Sequence, residues 1–140
     1  VVYGNESWKY INGIGSHIME RNNIKKNIKF FLLRSGFYNA FATDNGYVFA
    51  TTSLLSQAKS EDEIAFILCH ELSHILLSHS LKQDQHTKSE LKGIVKRKKN
   101  RKSKEGKYKT LDALLKDIYQ FSRQQELQAD SMGYELYKNT

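Results

Sequence analysis

Two histidines stand four residues apart in ILCHELSHILLSH, the segment from residue 67 to residue 79. Residues at this spacing on an α-helix project from one side, so the side chains of His70 and His74 can reach a single ion. Glu71 is displaced just enough to meet a water molecule on that ion rather than the ion itself. This is the HExxH pattern, in which two neutral imidazoles hold Zn²⁺ and the glutamate takes a proton from the water. The segment therefore predicts a zinc site with a general base.

A zinc ion used for hydrolysis needs a third protein ligand and an open position for water. Glu126 is the candidate, because it falls on the apolar stripe of the C-terminal helical region and an inward-facing carboxylate requires a cation. Asp130 lies one turn further along, where a carboxylate can accept a hydrogen bond from a ligand histidine and fix its tautomer. We expect one zinc ion per chain. The alternative for both acidic residues is an ordinary charged helix face.

The histidine pair also has an alternative interpretation, as two core histidines bonded to backbone carbonyls. Apolar residues share its side of the helix, so the rings face inward, where an unpartnered imidazole is costly. His79 is nine residues from His70, about half a turn around a continuous helix, and is not expected among the same ligands. His17 and His86 belong to no pattern and are interpreted as ordinary surface or second-layer residues.

The elements that position these residues follow from periodicity and turn signals. The first twenty or so residues read as an amphipathic helix. Three short strands are predicted from IKFFLLRSG and YNAFATDNGYVFATT, where Asn45 and Gly46 form a strong hairpin signal. A brief helix follows over residues 53–58. Ser60 and Glu63 then form a capping box that begins the long histidine-bearing helix.

Most of the net charge of +7 lies in KGIVKRKKNRKSKEGKYK, residues 92–109, which carries ten Lys or Arg and one Glu. A block of like charges repels itself, so a flexible solvated loop is predicted over about 84–109. The alternative is a contact site for nucleic acid or an anionic membrane. The helical pattern resumes at Thr110, and a second capping box at Ser122 and Gln125 leaves either two helices or one bent helix open.

Length and composition favour one domain, since 140 residues with 39% apolar and 26% charged side chains can build a single core. No apolar run approaches the roughly 18 to 20 residues that cross a bilayer, so the chain as given is expected to be soluble. Its compartment stays open, and a periplasmic, secreted or membrane-associated location is compatible with a longer precursor. The predicted fold class is α+β, with a small sheet that includes antiparallel pairing packed on the histidine-bearing helix.

The stretch NAFATDNGYVFATTSLLSQAKSEDEIAFILCHELSH, followed downstream by ELQAD, resembles the CAAX prenyl endopeptidase and HtpX-like branch of the gluzincin metallopeptidases. The resemblance covers roughly residues 39–79 and 123–133. It implies a zincin-like α+β domain and a zinc-dependent endopeptidase. By this resemblance His70, His74 and Glu126 are the zinc ligands, Glu71 is the general base, and Asp130 supports His70.

The same resemblance implies that the strand formed by Asn39, Ala40, Phe41 and Ala42 is the edge along which an extended peptide substrate binds. An edge strand has unpaired amide and carbonyl groups that can bond such a peptide, although any small sheet possesses an edge. Two other function classes stay open. One is a zinc domain without turnover that acts as a chaperone or regulatory module. The other is a binder of nucleic acid or anionic membrane through residues 92–109.

Overall fold

The computed structural model describes the backbone of residues 1–2, 4–99 and 105–140, and the side chains of these residues outside 93–111. The described chain contains helices and strands in the mixture expected of an α+β fold, which confirms the predicted class. In chain order they are α1 (Glu6–Arg21), β1 (Lys29–Leu33), β2 (Ala40–Thr43), β3 (Tyr47–Thr51), α2 (Thr52–Gln57), α3 (Glu61–Leu76), α4 (His79–Lys99) and α5 (Glu105–Lys138).

The sheet has the strand order β1-β3-β2. β2 and β3 form the predicted antiparallel hairpin, in which Gly46 takes a φ of +81° and donates to the carbonyl of Thr43 at 3.1 Å. β1 pairs with β3 in parallel, which the strand signals alone do not indicate. Within the described sheet β2 therefore has one neighbour and lies at an edge.

The hydrophobic core lies between the sheet and helices α1 and α3. Gly15 allows α1 to approach the sheet, because a Cβ atom at this position would lie 2.4 Å from the ring of Phe30. α5 packs on the outer side of α3. The fully buried apolar residues include Ile11 and Ile18 of α1, Leu32 and Val48 of the sheet, Leu54 of α2, and Leu68 and Leu72 of α3.

Helix α3 begins at its predicted cap, where Ser60 Oγ accepts a hydrogen bond from the backbone N–H of Glu63 at 3.2 Å. The return bond differs from the prediction, since Glu63 Oε2 accepts from the N–H of Lys59 at 2.9 Å and not from Ser60. Glu63 Oε1 accepts from the Tyr38 hydroxyl at 2.6 Å. The bonds from Tyr38 and Lys59 lower the pKa of Glu63. The cap thus ties the start of α3 to the segment that enters β2.

The loop predicted over about 84–109 is wrong for the described residues, since the backbone is helical through Lys99 and again from Glu105. Lys and Arg have good helix propensity, which here outweighs the repulsion between their charges. Residues 100–104 lie outside the described part of the chain. So do the side chains from residue 93 to residue 111, on which the predicted nucleic-acid or membrane contact depends. The single-domain organisation stays a prediction.

The second capping box does not begin a new helix, because α5 is continuous over 34 residues. Gln125 is buried, and its Nε2 donates to the backbone carbonyl of His79 at 2.7 Å. The Gln125 side chain, which the sequence offers for a capping box, therefore donates to a backbone carbonyl in the first turn of α4 instead. This bond joins α5 to the point where α3 gives way to α4.

Within the described residues, no single helix is long and apolar enough to span a membrane. Taken together, Glu61–Leu76 and His79–Lys92 reach the necessary length and composition, but they are bent by 50° with respect to each other. The first of the two is α3, a core helix with six buried residues.

Candidate metal centre and cleft

The two histidines of α3 converge as the four-residue spacing predicts. Their Nε2 atoms lie 3.1 Å apart, and their ring centroids are separated by 4.9 Å. Both side chains are about one-fifth exposed, with values of 20% for His70 and 19% for His74. The pair therefore lies at the boundary between the core and solvent, where an ion bound to it could still be reached by water.

Glu126 of α5 reaches this pair from across the helix interface. Its Oε2 lies 3.4 Å from His70 Nε2, and its Oε1 lies 3.6 Å from His74 Nε2. The predicted convergence is present, but the predicted inward orientation is wrong, because the Glu126 side chain is 56% exposed. The three groups meet at the rim of the α3–α5 interface, whereas the apolar stripe of α5 enters the core deeper down, at Ala129.

Asp130 accepts a hydrogen bond from His70, with 2.9 Å between its Oδ1 and His70 Nδ1. This bond fixes the proton on Nδ1 and leaves Nε2 of His70 as a lone-pair donor toward Glu126. The contact requires a close approach of the helices. Ala129 is fully buried, and a Cβ atom on Gly133 would lie 3.0 Å from His70 Cα. The small residues of α5 thus bring its two carboxylates to the histidines.

His79 supports His74 in the same way, a role that sequence reasoning missed. Its Nδ1 lies 3.0 Å from His74 Nδ1, and its Nε2 lies 3.1 Å from Gln128 Oε1. The amide oxygen of Gln128 can only accept, so His79 carries its proton on Nε2 and accepts the Nδ1–H of His74. His79 is 2% exposed. It is outside the ligand set, as expected, yet in direct contact with it.

The position of His79 follows from a break in the helix. The half-turn expectation holds for a continuous helix, but α3 ends at Leu76, and Ser78 takes a φ of 54°. The chain then turns into α4, which brings His79 back toward His74. No glycine or proline marks this break in the sequence, so the local signals for a helix end are absent.

These partners leave three acceptors facing one another. With both Nδ1 hydrogens engaged elsewhere, the Nε2 atoms of His70 and His74 present lone pairs to each other and to the Glu126 carboxylate. Burial is the main cause that lowers the pKa of His74 and of His79, which favours the neutral ligand form. The three ligand atoms lie within 4.8 Å of one another. This donor set fits a divalent metal ion, since imidazole nitrogen and carboxylate oxygen are ligands that zinc takes.

Glu71 lies beside this group, toward the sheet. The pKa of its carboxyl is raised to about 7, mainly by burial and also by the negative charge of Glu126, although His70 and a hydrogen bond from the backbone N–H of Ala42 act in the opposite direction. A carboxyl group whose pKa lies near neutrality can both accept and return a proton at physiological pH. A pKa raised toward neutrality is compatible with the role of general base that the HExxH pattern predicts for Glu71.

A cleft of about 310 Å³ runs between β2 and α3 and reaches His70 of the candidate metal centre. Asn39 and Ala40 line it, and Ala42 meets Glu71 through its backbone. Phe41 points to the other face of the sheet, where its ring stacks on Phe49 with 4.9 Å between centroids. The remaining lining residues are Tyr38, Leu54, Phe66, Ile67, His70 and Glu71.

The hydrogen-bond pattern of β2 decides which of its peptide groups face the cleft. Thr51 N donates to Asn39 O at 3.1 Å, which makes residue 39 a hydrogen-bonded position. Because such positions alternate in an antiparallel pair, residues 41 and 43 also bond to β3, and residues 40 and 42 do not. The N–H and C=O groups of Ala40 and Ala42 therefore point away from β3, toward the free edge. The amide of Ala42 is engaged by Glu71, and the groups of Ala40 are the ones at which a peptide could pair.

The fold and this site define a domain of the metallopeptidase type. The sequence from residue 6 to residue 140 matches the model of peptidase family M48, and the chain belongs to this family. The resemblance inferred from the motifs is thereby confirmed at the level of the family. Membership supports a peptidase that uses a divalent metal ion and acts on peptide or protein substrates.

Individual relatives match a shorter part of the chain. It is 35% identical to a Vibrio cholerae serotype O1 protein provisionally named beta-barrel assembly-enhancing protease. It is 32% identical to the beta-barrel assembly-enhancing proteases of Escherichia coli strain K12 and Yersinia pestis. Each match extends over 72 residues, which is 51% of this chain and 15% of the relative. The chain thus corresponds to a small part of these relatives.

Proposed function

We propose that this chain is a zinc-dependent endopeptidase of the gluzincin type. The observation that carries the proposal is the meeting of His70 Nε2, His74 Nε2 and the Glu126 carboxylate, while the opposite nitrogen of each histidine is bonded to Asp130 or His79. Two neutral imidazoles and one carboxylate are the protein ligands of catalytic zinc in several hydrolases. In this proposal, the three residues hold one zinc ion per chain.

Bound zinc supplies a Lewis acid that polarises the scissile carbonyl and acidifies a water molecule. The protein's part in the proton transfers belongs to Glu71. Its carboxylate takes a proton as the water attacks the peptide carbonyl and then gives a proton to the leaving amine. Partial burial suits both steps, because it brings the pKa of Glu71 close to 7 and keeps the group beside the cleft. Asp130 and His79 keep the two ligand imidazoles in the required tautomer.

We propose that the substrate binds in extended conformation along β2. The free N–H and C=O groups of Ala40 can pair with a peptide strand, and the cleft beside them has apolar walls at Phe66 and Ile67. The name of the relatives links those proteases to β-barrel assembly. Unfolded proteins with unpaired β-forming segments are accordingly the substrate class that we propose for this chain.

A Glu71→Gln variant tests this function. Removal of the base is expected to lower the rate of hydrolysis of an unfolded protein by about 100- to 10,000-fold. Zinc content, measured by elemental analysis, should stay at the wild-type level because the ligands remain. Glu61→Gln is a matched control in the first turn of the same helix, where the carboxylate is exposed and accepts a hydrogen bond from the Tyr10 hydroxyl.

Two results would contradict the proposal. Hydrolysis by Glu71→Gln at the wild-type rate would remove the base from the mechanism. A wild-type chain that binds zinc tightly and cleaves none of a panel of unfolded proteins would instead favour the zinc-binding chaperone or regulatory module.

A further inference from the structure

A second cluster of ligand-type side chains lies between α4 and α5, outside the candidate metal centre. His86 and Glu90 stand four residues apart on α4, and Asp117 faces them from α5. Each offers one nitrogen or carboxylate oxygen, and the three atoms lie within 4.8 Å of one another. His86 Nε2 is 3.1 Å from Asp117 Oδ2. The arrangement repeats the pattern of the first centre, with two residues one turn apart on one helix and a carboxylate from the other.

Buried polar atoms at this interface are incompletely satisfied. Within the described side chains, His86 Nδ1, Asp117 Oδ2 and Gln83 Oε1 are buried and form no hydrogen bond, although Asp117 Oδ2 lies close to His86. Gln83 precedes His86 by three residues and so shares its side of α4. A buried polar atom without a partner costs about 1–3 kcal/mol. Unsatisfied atoms on two neighbouring residues of α4, His86 Nδ1 and Gln83 Oε1, indicate that polar groups of this interface lack a partner.

The ring of His86 is held in place by an aromatic neighbour. It stacks on Phe121 of α5 with 4.2 Å between ring centroids and 3° between ring planes. The imidazole is therefore fixed edge-on toward the two carboxylates, and its side chain is only 25% exposed. A ligand whose orientation is set in advance loses little conformational freedom when it binds an ion.

Among the described side chains, α4 and the facing part of α5 have little apolar packing. Leu114 is buried, but Leu91, Leu115 and Tyr119 remain 47%, 59% and 67% exposed. Hydrophobic burial therefore contributes little to holding the described outer parts of α4 and α5 together. A metal ion bridging the helices would supply that stabilisation, since ion binding is coupled to the order of the residues that ligate it.

We propose that His86, Glu90 and Asp117 form a second metal site that binds a divalent transition-metal ion, Zn²⁺ foremost, and clamps α4 to α5. One imidazole and two carboxylates suit zinc better than calcium or magnesium, which take oxygen ligands. The clamp is structural, because the described residues around it place no counterpart of Glu71 beside the ligands. It does not rest on the proposed peptidase activity.

Zinc titration of the complete chain tests this site. The wild type is expected to bind two zinc ions per chain, and Glu90→Gln is expected to bind one. Because Glu90→Gln keeps the size of the side chain, this variant is expected to fold. Asp117→Asn removes a second ligand at nearly constant volume and should cause the same loss. The matched control is Asp84→Asn, which removes the same charge from α4 at a carboxylate that is paired with Lys88 and lies outside the cluster.

A Glu126→Gln background separates this site from the first centre. The clamp zinc should remain in Glu126→Gln and disappear in the Glu90→Gln/Glu126→Gln double variant, whether or not the first centre is catalytic. In the Glu126→Gln background, added zinc should also slow amide hydrogen exchange in α4 and around Asp117 of α5 with Asp84→Asn, but not with Glu90→Gln. A zinc content that Glu90→Gln leaves unchanged in both backgrounds would overturn the proposal. Displacement of the clamp ion by excess magnesium would overturn the assigned metal class.

Discussion

The candidate metal centre and the proposed clamp are built from the same parts. Each takes two ligands one turn apart from a single helix and one carboxylate from α5, where Asp117 and Glu126 lie nine residues apart. They differ in what surrounds the ligands. At the first centre, Asp130 and His79 each bond the outer nitrogen of a ligand histidine. At the clamp, the outer nitrogen of His86 has no hydrogen-bond partner within the described residues.

A cleft and a base make the second difference. The first centre opens onto the groove beside β2 and has Glu71 next to it, whereas the clamp lies between two helices and packs against Phe121. Residue spacing on one helix is therefore enough to bring ligand-type side chains together at both places. Hydrolysis requires in addition fixed tautomers, a group that exchanges protons, and a surface that holds the substrate.

The largest expected effect comes from removing the α5 ligand of the first centre. Glu126→Gln should weaken zinc binding there and slow hydrolysis by more than about 100-fold, since the loss of outer partners alone costs about 10- to 100-fold. Competition with a chelator measures the affinity. Glu135→Gln is the control on the same helix, where the carboxylate pairs with Lys138 at 2.8 Å. Equal zinc affinities in the two variants would show that Glu126 is not a ligand.

The next largest expected effect concerns His79, which bonds the outer nitrogen of His74 at the first centre. The clamp has no equivalent bond among the described residues. His79→Phe keeps a ring of similar size but no acceptor for His74, so zinc affinity at this centre should fall by about 10- to 100-fold. His79→Gln restores an acceptor and should recover part of the loss. Gln128→Leu, one step further from the ion, should have a smaller effect than His79→Phe. Wild-type affinity in His79→Phe would contradict the positioning role, provided that its thermal unfolding is also unchanged.

The raised pKa of Glu71 predicts a pH effect on the metal-free chain. Because the folded-state pKa of about 7 exceeds the ordinary value of 4.5, this group's contribution is fully present below pH 4.5 and is lost as the pH rises through 7. Glu71→Gln lacks this loss. With chelator present, its free energy of unfolding relative to wild type should rise over this interval by about 2 kcal/mol, a value reduced for partial exposure. Parallel pH profiles in denaturant titrations would contradict the prediction.

The smallest expected effect concerns the approach of α5 to α3. Gly133→Ala places a Cβ atom 3.0 Å from His70 Cα. The overpacking is expected to cost about 1–3 kcal/mol in the free energy of unfolding, which should exceed the gain of about 1 kcal/mol from the better helix propensity of alanine. Gly13→Ala is the control, because within the described residues a Cβ there would have no atom within 4 Å apart from neighbouring residues of its own helix, and it should stabilise the protein. Denaturant titration measures both changes. Stabilisation by Gly133→Ala would show that α5 can shift away from α3 at little cost.

Much of the first centre could be predicted because its signals are local or periodic. The i,i+4 histidines, the adjacent base, the position of Asp130 one turn after Glu126, and the small residues of α5 all follow from helix geometry. The hairpin at Asn45 follows equally from turn chemistry. The prediction of a loop over about 84–109 is wrong for the described residues because it rests on charge density, which is neither a periodic signal nor a turn signal. Charge density alone does not decide between a solvated loop and a helix, since both leave the charges in water.

The sequence by itself determined which side chains share a helix face, because 3.6 residues per turn fixes this without any long-range contact. Only the tertiary structure decided what those faces meet. It broke the chain at Ser78 and returned His79 to His74, left Glu126 at a solvent-exposed rim, and placed Asp117 opposite His86. These outcomes depend on how helices pack across long sequence separations, where the packing energy of whole interfaces outweighs any local preference.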